Sequence, residues 1–175
     1  RKFMNPRQLS HELREETTPD LINRRWIVGL SMVGAAMGAA VALYQTGIVE
    51  DLPDPPLPYI DSSRVDASDY AYSRLDSPDA PMMLINYGVT ALLATIGGKN
   101  RAEDKPLVPL ALAVKTLFDS ALALELAREE WKEQKAFCAY CQVATLASIA
   151  SVALAAPEAI KATRNLFGNN RELAS

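Results

Sequence analysis

The chain has 175 residues, with 18 Lys+Arg, 21 Asp+Glu, one His, two Cys and a net charge of −3. That length holds one domain with tails and excludes an enzyme that carries its own cofactor domain. Net acidity argues against nucleic-acid binding, the 49% hydrophobic content excludes a disordered chain, and two cysteines supply neither a disulfide framework nor four thiolates for a structural metal, so no metal site is expected.

Residues 1–25 read as a polar tail in which His11 is a surface residue. Thr18 followed by Pro19 is an N-cap with proline at the first helical position. The first apolar segment runs from Trp26 to about Gly47, and no charge falls between Arg25 and Glu50. It is longer than a signal-peptide core, and charges of both signs precede it, so it reads as a retained span. Its GAAMG run, Gly34 to Gly38, is a small-xxx-small pattern; packing within the bundle is its commoner use, a dimer seam the other.

Residues 48–79 form a 32-residue connection with eight acidic groups and two arginines. Its first part, LPDPPLP, is stiffened by proline. Its second part, DSSRVDASDYAYSRL, suits a short helix capped at Asp61 or Ser62. Tyr59, Tyr70, Tyr72 and Leu75 give it apolar surface, which suits a lid on the membrane face; a solvated acidic loop is the alternative. Three more apolar segments follow: Ala80–Gly98, for which Asp79 is the expected cap, Pro106–Ala127, which contains Lys115 and Asp119, and Ala136–Ala156. Each reaches the roughly 20 residues that cross a bilayer core. The expected fold is therefore all-α: an integral membrane four-helix bundle over residues 26–156, with a long outward loop between helices 1 and 2. Residues 157–175 form a C-terminal tail. A soluble helical bundle is the competing architecture, kept open by Lys115 and Asp119.

Twelve Lys/Arg fall on one side of this arrangement and five on the other. The positive-inside rule places both termini in the cytoplasm and the 48–79 loop outside. A bacterial inner membrane or its equivalent fits. Trp26, Trp131 and Tyr140 fall at predicted interfaces, where aromatics anchor.

Cys138-Ala139-Tyr140-Cys141 is the motif with evident chemistry. At a helix start near Ala136, CxxC puts both sulfurs on one face one turn apart, beside the partial positive charge of the helix N-terminus. Gln142 follows instead of His, so this is not a haem attachment signature. Two inert buried cysteines are the plain alternative. Thr145 and Ser148 continue the same face and leave room for a flat ligand, or simply pack. At about 1.5 Å rise per residue, Asn86, Asp119 and Cys141 lie at one depth, roughly 7–12 Å from the outer boundary. Such a polar cluster beside a dithiol is what a quinone head group needs. Lys115 and Asp119, four apart, can also pair as a structural ion pair.

Four helices in this order, the long loop, FCAYC opening the fourth helix and the stretch IDSSRVDAS (Ile60–Ser68) together resemble the vitamin K epoxide reductase family over about residues 20–160. The resemblance implies a bundle around a quinone, with Cys141 as the quinone-proximal sulfur and Cys138 exchanging with a shuttle pair in the loop. Asn86 would match the family's asparagine near the start of helix 2. The loop, however, has no cysteine: Ser62 stands at one shuttle position, and the other has no counterpart. Thr145 replaces the family's tyrosine one turn after the CxxC. An internal electron relay is thus excluded. Two functions follow: a membrane thiol–quinone oxidoreductase served by an external thioredoxin-like dithiol protein, or a degenerate relative acting as an accessory subunit of a larger membrane complex.

Overall fold

The computed structural model describes residues 5–72 and 77–172. Arg1, Lys2, Arg74, Leu75 and Asp76, and the side chains of Tyr70 and Arg171, lie outside the described residues. The helices are α1 (Pro6–Glu15), α2 (Pro19–Gln45), α3 (Ser62–Asp66), α4 (Asp69–Tyr72), α5 (Ala80–Thr95), α6 (Arg101–Asp104), α7 (Leu107–Gln134) and α8 (Ala139–Glu172). Among the described residues the only β pairing is an isolated parallel bridge, Ile60 with Phe137.

Local chemistry sets most boundaries. Thr18 caps α2 by accepting from the Leu21 N–H at 3.4 Å. At the far end of α2, Gly47 takes φ 75°, its N–H bonds the Tyr44 carbonyl, and the Ile48 N–H bonds the Leu43 carbonyl, both at 2.9 Å. Those two bonds are a Schellman closure, which needs the left-handed residue glycine supplies. Asp61 caps α3 through the Arg64 N–H. Asp79 behaves differently from the expectation. It precedes α5 but makes no side-chain capping bond; its carboxylate instead accepts from Gln45 Nε2 of α2 at 2.8 Å.

Helix α2 packs on α5 and α8, and α8 packs on α7. The buried stripe of α2, Ile27, Ser31, Gly34, Gly38 and Val41, recurs every three to four residues. Gly34 lets the Tyr87 ring of α5 approach so closely that an added Cβ would lie 2.4 Å from it. Thus the GAAMG run serves packing within the chain. Small residues such as Ala94, Ala147, Ser151 and Ala155 line the interior, while large apolar ones face outward: Ile85 is 70% exposed, Val114 69% and Leu146 66%. In water each such side chain would forgo roughly 1.5–3 kcal/mol of burial. This inside-out distribution sets the soluble bundle aside; the chain is an integral membrane protein. Three helical stretches, Pro19–Gln45, Leu107–Gln134 and Ala139–Gly168, are long and apolar enough to cross a membrane.

The second apolar segment gives only the 16-residue α5, about 24 Å of helix. It stops short of Gly98 for two reasons. Gly97 adopts φ 87°, where an added Cβ would lie 2.9 Å from Arg101. Two buried arginines also hold the helix end. Arg24 donates to the carbonyls of Ala94 (2.8 Å), Gly97 (2.8 Å) and Gly98 (3.0 Å). Arg101 donates to those of Leu93 (2.8 Å) and Ile96 (2.9 Å). Cations at a helix C-terminus meet its negative dipole end. Arg101 also forms a two-point pair with Glu158 of α8, at 2.8 and 2.7 Å. Two of the cations counted for the charge asymmetry are therefore interior fasteners. At the same end, the N-terminal tail forms α1, whose buried Glu12 accepts from the Lys99 N–H at 2.9 Å, while Glu16 pairs with the Lys99 ammonium. His11 is exposed and pairs with Glu15.

Candidate active site

The two cysteines sit where α8 begins, at the end of the bundle opposite the arginines. The helix starts at Ala139, three residues later than its apolar run suggests. The reason is that Phe137 is engaged elsewhere: its N–H bonds the Tyr59 carbonyl at 2.8 Å, and its carbonyl accepts from the Asp61 N–H at 3.1 Å. Cys138 is therefore a cap residue, and its sulfur accepts from the Cys141 N–H at 3.2 Å. Both cysteines are free thiols, and they lie one turn apart.

The connection between α2 and α5 covers them. Leu52 and Val65 join Val41, Ala80, Ala136 and Cys138 in one buried cluster, and Cys138 is 0% exposed. Ser62 is also fully buried. Its hydroxyl accepts from the Ala139 N–H at 2.9 Å and donates to Asp54, and its own N–H bonds Asp54 at 2.7 Å. Ser62, which the resemblance sets at a shuttle position, thus stands next to Cys138 and caps the cysteine helix. Tyr140 donates to the Pro53 carbonyl at 2.9 Å. Trp131 stacks on Phe137 at 5.3 Å and meets Tyr59 edge-on at 5.5 Å. These two expected membrane anchors therefore also pin the covering segment to the bundle.

Carboxyl groups face the sulfurs from two sides. Glu130 of α7 is buried and accepts from the Cys138 N–H at 3.3 Å and from Gln142 Nε2 at 3.1 Å. Asp66, the last residue of α3, accepts from the Cys141 thiol at 3.9 Å. Burial, with Asp79 and Asp54 nearby, pushes the Asp66 carboxyl up to about 6. One donor atom from each of Asp66, Cys138 and Cys141 lies within 4.8 Å of the others, a set whose chemistry suits a thiophilic metal ion. Cysteine spacing alone does not disclose it, because the third donor comes from the covering segment.

Deeper in the bundle, the Lys115 ammonium of α7 donates to Asn86 Oδ1 at 2.9 Å, to Thr90 Oγ1 at 2.8 Å and to Asp119. Asn86 and Asp119 are thus brought together, whereas the Cys141 sulfur, expected at the same depth, faces Asp66. Because Asn86 Oδ1 faces the ammonium, its NH₂ points away as a donor. Ser148 takes a different partner, the Tyr87 hydroxyl at 2.8 Å, which also donates to the Ala144 carbonyl at 2.6 Å. Thr145 turns back on its own helix and donates to the Cys141 carbonyl at 2.8 Å.

Sequence reasoning missed Asp66, Tyr87 and Glu130. A signal existed for two of them. Asp66 follows Ser62 by four residues, so on a helix both share the face that meets the cysteines. Tyr87 is the single aromatic residue of the second apolar segment and adjoins Asn86.

The Vitamin K epoxide reductase family matches residues 25–156, and the chain belongs to that family. No curated protein and no solved structure matches it.

Proposed function

We propose that this member of the vitamin K epoxide reductase family is a membrane thiol–quinone oxidoreductase that works with one dithiol, Cys138 and Cys141. The observation that carries the reading is a free CxxC pair at the head of a membrane helix, with the Tyr87 phenol bonded to the Ala144 carbonyl one turn beyond Cys141. Forming the Cys138–Cys141 bond breaks two S–H bonds. The two electrons and two protons released convert a quinone to its quinol. Cys141 is the sulfur nearer the quinone. Asn86, Asp119, Thr145 and Ser148 line its site, with the Asn86 NH₂ as a donor to a quinone oxygen. Tyr87, entering from α5, supplies a phenol one turn beyond Cys141, where the family's tyrosine is replaced by Thr145.

An external thioredoxin-like dithiol protein re-reduces the pair. Since Cys138 is covered by Leu52, Val65 and Ser62, that exchange requires the covering segment to lift. We further propose that α2, α5, α7 and α8 all span the membrane, the short α5 completed by the turn that follows it. The termini then lie in the cytoplasm and residues 48–79 outside.

One observation favours a second reading. Ser62 is fully buried and bonded on both sides, to Asp54 and to the Ala139 N–H. A shuttle position sealed in this way suits an accessory subunit of a larger membrane complex. Quinone reduction by the dithiothreitol-reduced protein separates the two. Turnover that disappears in Cys141→Ala supports the enzyme. Equal rates in wild type and variant, with a quinone that a positive control reduces, support the subunit and direct the next step to isolating its complex.

A further inference from the structure

We propose that Asp66, Cys138 and Cys141 form a binding site for one thiophilic divalent cation of the zinc class, which clasps the covering segment onto the head of α8. The inference shares its two cysteines with the proposed function but does not rest on it, because metal binding is measured without quinone.

The donors and their spacing fit such an ion. Two thiolates and a carboxylate are ligands that zinc takes, and soft thiolates select against magnesium and calcium, which prefer oxygen. On one tetrahedral zinc, ligands at about 2.3 Å for sulfur and about 2.1 Å for oxygen stand roughly 3.5–3.8 Å apart. Here one donor atom of each residue lies within 4.8 Å of the other two, and Asp66 Oδ1 stands 3.9 Å from the Cys141 sulfur. The Asp66 carboxyl also hydrogen-bonds the Cys138 thiol, so it faces both sulfurs. Small side-chain movements bring all three donors onto one ion and leave its fourth position to a water. The backbone behind Asp66 is fixed. Asp61 caps α3, Tyr44 of α2 bonds the Ser63 carbonyl at 2.9 Å, and Gln45 bonds the Asp66 carbonyl at 3.4 Å.

A second observation points to a ligand. Asp66 is 4% exposed, and its Oδ2 has no hydrogen-bond partner. The other described buried carboxyls are held: Glu158 by Arg101, Asp119 by Lys115, Glu12 by the Lys99 N–H, and Glu130 by a backbone N–H and Gln142. A buried oxygen without a donor is costly and calls for an explanation; a cation seated between Asp66 and the sulfurs supplies one. The local charge agrees. Asp54, Asp79 and Glu130 surround Asp66, and among the described residues their bonds come from Ser62, Gln45, Gln142 and the Cys138 N–H, all uncharged. A dication offsets that excess of negative charge. Binding breaks two S–H bonds, and both protons pass to the buffer as two S–metal bonds and one O–metal bond form. No electron moves. While the ion is held, both sulfurs are engaged, so the reduced pair cannot close its disulfide and the covering segment cannot lift.

The test titrates the reduced full chain in detergent with Zn²⁺ and with Cd²⁺. Binding is followed by thiolate-to-cadmium absorption and by protection of both cysteines from iodoacetamide, resolved by mass spectrometry. One ion per chain is expected, with both thiols protected and with excess Mg²⁺ failing to displace it. Asp66→Asn should weaken binding at least about tenfold, since even the loss of an outer partner of a metal ligand costs that much. Asp69→Asn, an exposed position at the start of α4, should bind as wild type does. A pair that chelates through its two sulfurs alone predicts equal affinity in wild type and Asp66→Asn, and that result overturns the proposal, as does a wild type that binds no ion. If Asp66→Asn fails to fold, hydrogen exchange of the wild type decides. Zn²⁺ should slow exchange of residues 62–66 together with the first turn of α8, because the ion ties them to each other; protection of α8 alone overturns the proposal. Binding that depends on Asp66 upholds the site even where quinone turnover is absent, a result that would count against the proposed function alone.

Discussion

The two ends of the bundle each bury charged groups, and they treat them in opposite ways. At one end Arg101 pairs with Glu158, and Arg24 and Arg101 both donate to the terminal carbonyls of α5. At the other, Asp66, Glu130 and two thiols crowd together, and among the described residues no cation bonds them and one carboxyl oxygen has no hydrogen-bond partner. The first arrangement is what a fastener requires, since every donor has an acceptor and nothing is poised to change. The second is what proton-coupled thiol chemistry requires, since protons have somewhere to go. The difference favours the cysteine end as the candidate site without reference to the motif itself.

The largest effect is expected from breaking the fastener. Arg101→Ala leaves Glu158 charged and buried and frees the end of α5. A loss of about 3–5 kcal/mol is expected, seen as a collapse of the melting temperature in detergent; a variant that melts like wild type would refute the fastener. Next comes the seam between α2 and α5. Gly34→Val drives a side chain into the Tyr87 ring, and overpacking of this kind costs about 1–3 kcal/mol. It should also disturb the Tyr87–Ser148 bond, so quinone turnover should fall together with stability, whereas Gly29→Ala, where an added Cβ meets nothing within 4 Å, should leave both unchanged.

A smaller effect, of the opposite sign, is expected at the cysteine end. The folded chain holds the Asp66 proton up to about pH 6, against 3.8 for an ordinary aspartate. Between those values the folded state binds a proton that the unfolded chain has already lost. Its contribution to stability is therefore present at low pH, falls as pH rises through that window and stays lower above it. Asp66→Asn removes the penalty, so the variant should be more stable than wild type at pH 8 by about 1–3 kcal/mol and no more stable at pH 4. Melting curves that run parallel across that range would contradict this. The smallest structural effect is expected from Cys141→Ala, a near-isosteric change that should alter the melting temperature little while abolishing turnover.

What the sequence discloses and what it hides divide along the same line. The Thr18 cap, the Asp61 cap, the Lys115–Asp119 pair and the CxxC spacing involve partners three or four residues apart, so they are legible from the chain alone. The family resemblance is legible too, because it rests on the order of apolar segments and on FCAYC. Arg24, Asp66 and Tyr87 act on residues far along the chain, and nothing local reveals their partners. Asp79 shows the limit of local reasoning. It occupies a capping position, yet Gln45 of a different helix claims its carboxylate. The start of α8 moved for the same kind of reason, because Phe137 is drawn into a bridge with the covering segment.

The central claim is that the Cys138–Cys141 dithiol delivers two electrons to a quinone. The most direct measurement mixes the fully reduced protein with one equivalent of quinone in the absence of oxygen and then traps free thiols for mass spectrometry. The account predicts loss of both thiols with formation of one intramolecular disulfide for each quinol produced. Thiols that remain free, beside a quinone that dithiothreitol reduces under the same conditions, would contradict it.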